Sequence, residues 1–112
     1  MKKDDEIRLR HMFEAAQEIC LYSGSARRED LDTDGKLLHA LVHLLEIIGE
    51  AANQVSKETQ GEFPQLPWAD MISMRNRLIH AYFDINKNIV WSTSSAQIPE
   101  LLGLLKSILE PA

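Results

Sequence analysis

Between Asp34 and about Thr59 the chain carries the run GKLLHALVHLLEIIGEAANQVSKE, and only one regular conformation suits it. At roughly 100° per residue, Leu38, Leu41, Leu45, Ile48 and Ala52 fall on a single stripe of a helix. A strand, with its period of two, would scatter the same residues over both faces. His39, His43, Glu46, Glu50 and Asn53 gather on the opposite side, with Leu44 and Ile47 along the margin. Asp34 is a natural N-cap for this helix. An apolar stripe of that length has to be covered by other helices. The apolar margin beside the polar stripe suits contact with a second subunit.

Three further segments share the helical period, and none shows the alternation of a strand. The first covers residues 5–22, with Ile7, Met12, Phe13, Ala16, Ile19 and Cys20 at helical spacing. SGSARREDLDTDG then reads as a polar connection with a short helical turn. After the long helix, GEFPQLP breaks the pattern, and Pro67 suits the first turn of a third helix, from residue 68 to about 83. The last segment, residues 89–109, contains Pro99, which has to kink the helix or start a new one. With 112 residues there is room for one modest core. The expectation is therefore one all-α domain over residues 1–112, an up-and-down bundle of four to five helices.

Composition excludes several classes. A net charge of -5 argues against a general nucleic-acid coat, so any nucleic-acid chemistry has to be confined to a local cleft or built by assembly. The charged start MKKDDEIRLRH and the lack of an 18-residue apolar run predict neither signal peptide nor membrane span. A lone Cys20 cannot form an intrachain disulfide, and cytoplasmic residence is the natural reading. His39, His43 and Glu46 stand at i, i+4, i+7, yet no H-E-x-x-H and no cysteine pair supplies further ligands. No metal and no cofactor is assigned. Cys20 lies in an apolar helix without a cue for thiolate stabilisation, and no glycine-rich phosphate loop precedes a helix.

MRNRLIHAYFDIN, starting at Met74, is the unusual stretch. Arg75 and Tyr82 are seven apart and share a stripe, whereas Asn76 and His80 are four apart on another. Arg75 and His80 differ by five, roughly 140° around an ideal helix. They can converge on one phosphate only if the helix is irregular near His80 or a second copy completes the site. From residue chemistry alone two accounts stand. Either Arg75 pairs with Glu46 or Glu50 inside the bundle and His80 and Tyr82 are packing residues, or these groups do chemistry.

Arg75-Asn76-Arg77-Leu78-Ile79-His80-Ala81-Tyr82 reads R-x-x-x-x-H-x-Y and closely resembles the signature of the HEPN superfamily. LEIIGEAA before it, LPWADMISMRNRLIHAYFDIN around it and VWSTSSAQIPELL after it are similar, in the same order, to the HepT branch, the toxins of MNT–HEPN toxin–antitoxin pairs of type VII-like kind. The resemblance spans nearly the whole chain and is weakest over residues 23–35.

That resemblance implies a HEPN-like helical bundle that forms a homodimer, with both motifs facing one cleft, and metal-independent endoribonuclease activity on RNA. By motif position Arg75 and His80 are the catalytic pair, with Asn76 and Arg77 supporting and positioning the phosphate. Tyr82 is the target of AMP transfer by a cognate nucleotidyltransferase antitoxin. Glu46 and Glu50 are candidates to hold Arg75. The alternative is a non-catalytic helical module that partners a nucleotidyltransferase, a reading favoured by the acidic charge and opposed by the intact motif. A nucleotide-binding bundle has little specific support.

Overall fold

The structure, a computed structural model, describes residues 1–81 and 84–111; the side chains of His80 and Ala81 and all of Tyr82 lie outside the described residues. Helix α1 covers Lys3–Gly24, the short α2 Asp30–Thr33, and α3 Gly35–Gln54. Then come α4 (Lys57–Glu62), α5 (Trp68–Ile72) and α6 (Met74–Leu78). Strands β1 (Ile79–Ala81) and β2 (Asp84–Ile85) form a small antiparallel hairpin, and α7 (Lys87–Ser92) and α8 (Ile98–Leu109) close the chain.

The all-α bundle expected from the sequence is what forms. The molecule measures 42 × 31 × 19 Å. Its short axis is about two helix diameters, so the helices stack in two layers. All five residues of the predicted α3 stripe are buried, and they meet Leu9, Met12, Ala16 and Ile19 of α1 and Leu101 and Leu105 of α8. Asp34 caps α3 as expected, its carboxylate accepting the Leu37 N–H at 3.1 Å. Among the described residues, no helix is long and apolar enough to cross a membrane.

Three boundaries differ from expectation. The long helix stops at Gln54 rather than near Thr59, because Ser56 begins a new helix, its hydroxyl accepting the Thr59 N–H at 3.2 Å. That junction is locked by Asp5, a residue only 2% exposed. Its carboxylate accepts the Ser56 N–H at 3.0 Å, the Ser56 hydroxyl at 2.6 Å and the Thr59 hydroxyl at 2.6 Å. The Ser56 hydroxyl bond, then that of Thr59, holds the carboxyl at about 2 against the opposing push of burial, down from an ordinary 3.8.

Pro99 starts a new helix, one of the two outcomes expected of it, and sits in the first turn of α8. Residues Thr93–Gln97 form a π-helical turn between α7 and α8 that absorbs the missing N–H while the chain stays helical. That last helical run starts at Lys87, two residues earlier than predicted, because the Asn86 side chain caps it by accepting the Ile89 N–H at 3.1 Å.

The largest difference falls on the motif. Instead of one helix over residues 68–83, α5 and α6 are separated at Ser73, whose hydroxyl bonds back to the Ala69 carbonyl at 2.8 Å, an arrangement that bends helices. At Ile79 the backbone turns extended, φ -119° and ψ 113°. The Leu78 carbonyl accepts the N–H of Asn86 at 2.7 Å, and Ile79 pairs with Ile85, so the hairpin takes over where the helix ends. A β-branched residue such as Ile79 adapts readily to that change.

Candidate active site

Gly49 determines how closely the motif approaches α3. A Cβ at this position would stand 2.7 Å from the Met71 carbonyl oxygen and 3.3 Å from the Met74 Cβ. Only glycine lets the α5–α6 bend rest directly on α3. The glycine inside LEIIGEAA is thus a packing requirement, and a glycine within a strong helical pattern was the sequence signal for it.

This close approach sets Arg75 opposite Glu46. The Arg75 Nη1 donates to the Glu46 Oε2 at 2.8 Å, with the Arg75 side chain 62% exposed and Glu46 23% exposed. Glu50, the other partner considered from sequence, is exposed and lines the same groove without taking Arg75. The groove encloses about 230 Å³ and is bordered by Glu46, Glu50, Asn53, Ile72, Arg75 and Asn76.

An arginine presents five N–H donors in a rigid fork. Among the described residues Arg75 uses one side-chain nitrogen, on Glu46, which fixes the guanidinium while leaving donors at the groove mouth. The pair is too exposed to contribute much to stability, on the order of 0–1 kcal/mol. Its consequence is positional.

The other motif residues divide. Asn76 is exposed in the groove beside Arg75. Arg77 does not line the groove; it is half-buried, and its Nη1 is closed off from solvent with no hydrogen-bond partner among the described residues. His80 has its backbone in β1. The 140° separation calculated for an ideal helix therefore does not apply to it, since the helix has already ended at Leu78. That is the irregularity near His80 which the sequence required for convergence within one chain. Tyr82 lies outside the described residues.

His39 and His43 are exposed on the same face of α3 as Glu46. Among the described residues no three His, Cys, Asp or Glu side chains cluster as metal ligands do. Cys20 is half-buried, and burial pushes its thiol up, away from the reactive thiolate. A second cavity, about 360 Å³, adjoins the groove through Glu50 and is lined on the α1 side by Ile7, Arg8 and His11. Sequence reading did not single out those last two polar side chains.

An all-helical domain with an exposed, carboxylate-anchored arginine beside a bent motif helix defines a class, that of small helical proteins with a polar cleft open to an anionic ligand. The comparison with known sequences narrows it: the profile "Ribonuclease HepT-like" matches residues 12–108, and the chain belongs to that family. It is 33% identical over 108 residues to "Probable ribonuclease HepT" of Thermococcus cleftensis, covering 96% of this chain and 98% of that one. It is 43% identical over 82 residues to "Putative RNase TTE0752" of Caldanaerobacter subterraneus subsp. tengcongensis, 73% of each chain. No solved structure matches.

Proposed function

We propose that this protein, a single helical domain over residues 1–112, is the ribonuclease toxin of a toxin–antitoxin pair, cleaving RNA without a metal in a cleft shared by two copies. Membership of the ribonuclease HepT-like family supports the class of activity. The observation that carries the site assignment is the exposed Arg75 guanidinium, fixed by Glu46 at the groove mouth next to the backbone break that precedes His80.

The chemistry follows from the residue types. The ribose 2′-oxygen attacks the adjacent phosphorus, its proton passes to a base, and the 5′-oxygen of the next nucleotide leaves with a proton from an acid. His80, whose side chain titrates near neutrality when unperturbed, is the proton-transfer group. Arg75 holds the phosphate oxygens as negative charge builds on them, a role for a cation that stays protonated. Asn76 orients the phosphate or ribose, with Arg77 in support. Glu46 aims Arg75, and Glu50 borders the cleft.

Two-fold pairing would place two such sets around one cleft, concentrating positive charge locally in an acidic chain. The exposed polar face of α3, with half-buried Ile47 at its margin, suits that contact. Cytoplasmic residence fits an RNA substrate.

Neutralisation in this reading is AMP transfer to Tyr82 by a nucleotidyltransferase antitoxin. The added phosphate is anionic and competes with RNA for Arg75. Intact-mass measurement after co-expression with the antitoxin should show one or more AMP additions lost in Tyr82→Phe. Full neutralisation of an unmodified chain would refute this step. For the nuclease itself, purified Arg75→Ala and His80→Ala should lose RNA cleavage and growth inhibition while keeping wild-type helicity; full activity in His80→Ala would refute the assignment.

A further inference from the structure

A larger cavity than the Arg75 groove lies beyond the motif hairpin. It encloses about 710 Å³ at the start of α7, within the size range of small-ligand pockets. Leu38 and Ile85 provide apolar lining, and Arg28, His39, Asp84, Lys87 and Asn88 bring polar groups to it. The R-x-x-x-x-H-x-Y stretch from Arg75 to Tyr82 includes none of these residues.

The two cations are held in place. Arg28 Nε donates to Asn88 Oδ1 at 2.7 Å, while Arg28 Nη1 and Lys87 Nζ approach the same Asp32 carboxylate oxygen at 3.2 and 3.7 Å. The Arg28 Nη1 contact with Asp32 is a charge contact without hydrogen-bond geometry, and that nitrogen is closed off from solvent, so the cation within reach of a ligand is Lys87. Asp32 offsets one of the two positive charges and Asp84 the other, so the cavity has no net positive charge and suits a ligand with both an anionic end and a hydrogen-bond-donating end. Asp84 adds an exposed carboxylate. A bare phosphate gains nothing from an apolar lining and a second carboxylate. A nucleotide uses all of them, with phosphate on Lys87, base against Leu38 and Ile85, and a ribose hydroxyl or base amine donating to Asp84.

Placement ties the cavity to the proposed cleavage site. Asp84 and Ile85 belong to β2, which pairs with the strand holding the His80 backbone. His39 lies on the same α3 stripe as Glu46, seven residues earlier. That is roughly 10 Å along the axis at the helical rise of about 1.5 Å per residue. His43, exposed on the same stripe, lies between the two.

We propose that this cavity is a subsite for an RNA nucleotide flanking the scissile phosphate, an assignment that rests on the ribonuclease reading above. Lys87→Gln is the primary variant, because Arg28 is also tied to Asn88 and its loss disturbs local structure. In the full-length protein carrying His80→Ala to keep RNA intact, binding of a labelled single-stranded RNA is followed by fluorescence anisotropy over a salt series. Lys87→Gln is expected to weaken binding about tenfold and to reduce the slope of log affinity against log salt by about one. Lys57→Gln, an exposed lysine on α4, should change neither.

With His80 restored, Lys87→Gln should raise KM for a long RNA and leave kcat within about twofold, while a dinucleotide, too short to reach the subsite, should be cleaved as by wild type. Unchanged anisotropy in Lys87→Gln and His39→Ala, or an equal loss in Lys57→Gln, overturns the subsite. A wild-type protein that binds RNA but cleaves none overturns the ribonuclease reading instead, and the binding titration distinguishes the two failures.

Discussion

Two carboxylates, Asp5 and Glu46, organise two junctions of this molecule in opposite ways. Asp5 is buried, accepts three hydrogen bonds, and locks α1 to the start of α4. Glu46 is partly exposed, takes one hydrogen bond, and holds an arginine that is itself mostly in solvent. The first arrangement is shut off from any ligand by burial, fills three of the carboxylate's roughly four acceptor sites, and contributes stability. The second contributes little stability and fixes a cation where a ligand can reach it. Burial and the number of hydrogen bonds the carboxylate accepts, rather than its charge, separate the structural site from the candidate chemical one.

Substitutions at the two junctions should therefore separate activity from stability. Arg75→Ala and His80→Ala are expected to cost the most in activity, on the order of 10³-fold or more in RNA cleavage kcat, in line with general acid–base and charge-stabilising groups. For Arg75→Ala, the melting midpoint should move by no more than about 1 kcal/mol of stability allows, as expected of an exposed pair. Parallel cleavage and thermal-melting measurements check both; a large loss of stability with Arg75→Ala would make Glu46–Arg75 a structural bridge like Asp5.

Asp5→Ala should behave in reverse, losing on the order of 2–4 kcal/mol of stability by leaving the Ser56 and Thr59 donors unpaired, while kcat below the melting range stays near wild type. The same carboxylate predicts a pH dependence. Its folded value of about 2 lies below the ordinary 3.8, so its stabilisation is fully present above 3.8 and is lost as pH falls through about 2. Melting from pH 5 to about 2 should show a decline in wild type that is smaller in Asp5→Asn.

Gly49→Ala is expected to disturb both properties, because the added methyl meets a backbone carbonyl that cannot rotate away. A stability loss of about 1–3 kcal/mol, with a fall in cleavage measured well below melting, is the expected outcome. The smallest effect belongs to Glu46→Gln, which keeps an acceptor for Arg75 but not its charge. About a tenfold fall in kcat with unchanged melting is expected, from the loss of about 1.4 kcal/mol of charge assistance. No change in kcat would make Glu46 a bystander.

The sequence made one of these junctions legible and concealed the other. The α3 stripe and its Asp34 cap could be read because the pattern is local and repeats over about four turns. Arg75 and its pairing with Glu46 or Glu50 could be read from the odd mixture of residues in the motif and from the face of α3. Asp5 could not. It sits in MKKDDE, where every neighbour is solvated, and its partners Ser56 and Thr59 are more than 50 residues away. The break at Ile79 was hidden for a related reason, since the Asn86-to-Leu78 bond that closes the hairpin is tertiary, and IHAYF fits a helical period as well as an extended one. Gly49 showed itself only as an interruption of helix propensity, whose cause, the Met71 carbonyl, lies on another element.

The central claim is that Arg75 and His80 break RNA through attack of the ribose 2′-oxygen. Mass spectrometry of the fragments from a defined RNA, incubated with purified wild type or with the Arg75→Ala/His80→Ala double variant in chelator, tests it most directly. The account predicts 2′,3′-cyclic phosphate and 5′-hydroxyl ends with wild type and intact RNA with the variant. Undiminished cleavage by the variant, or wild-type fragments bearing 5′-phosphates, would contradict it.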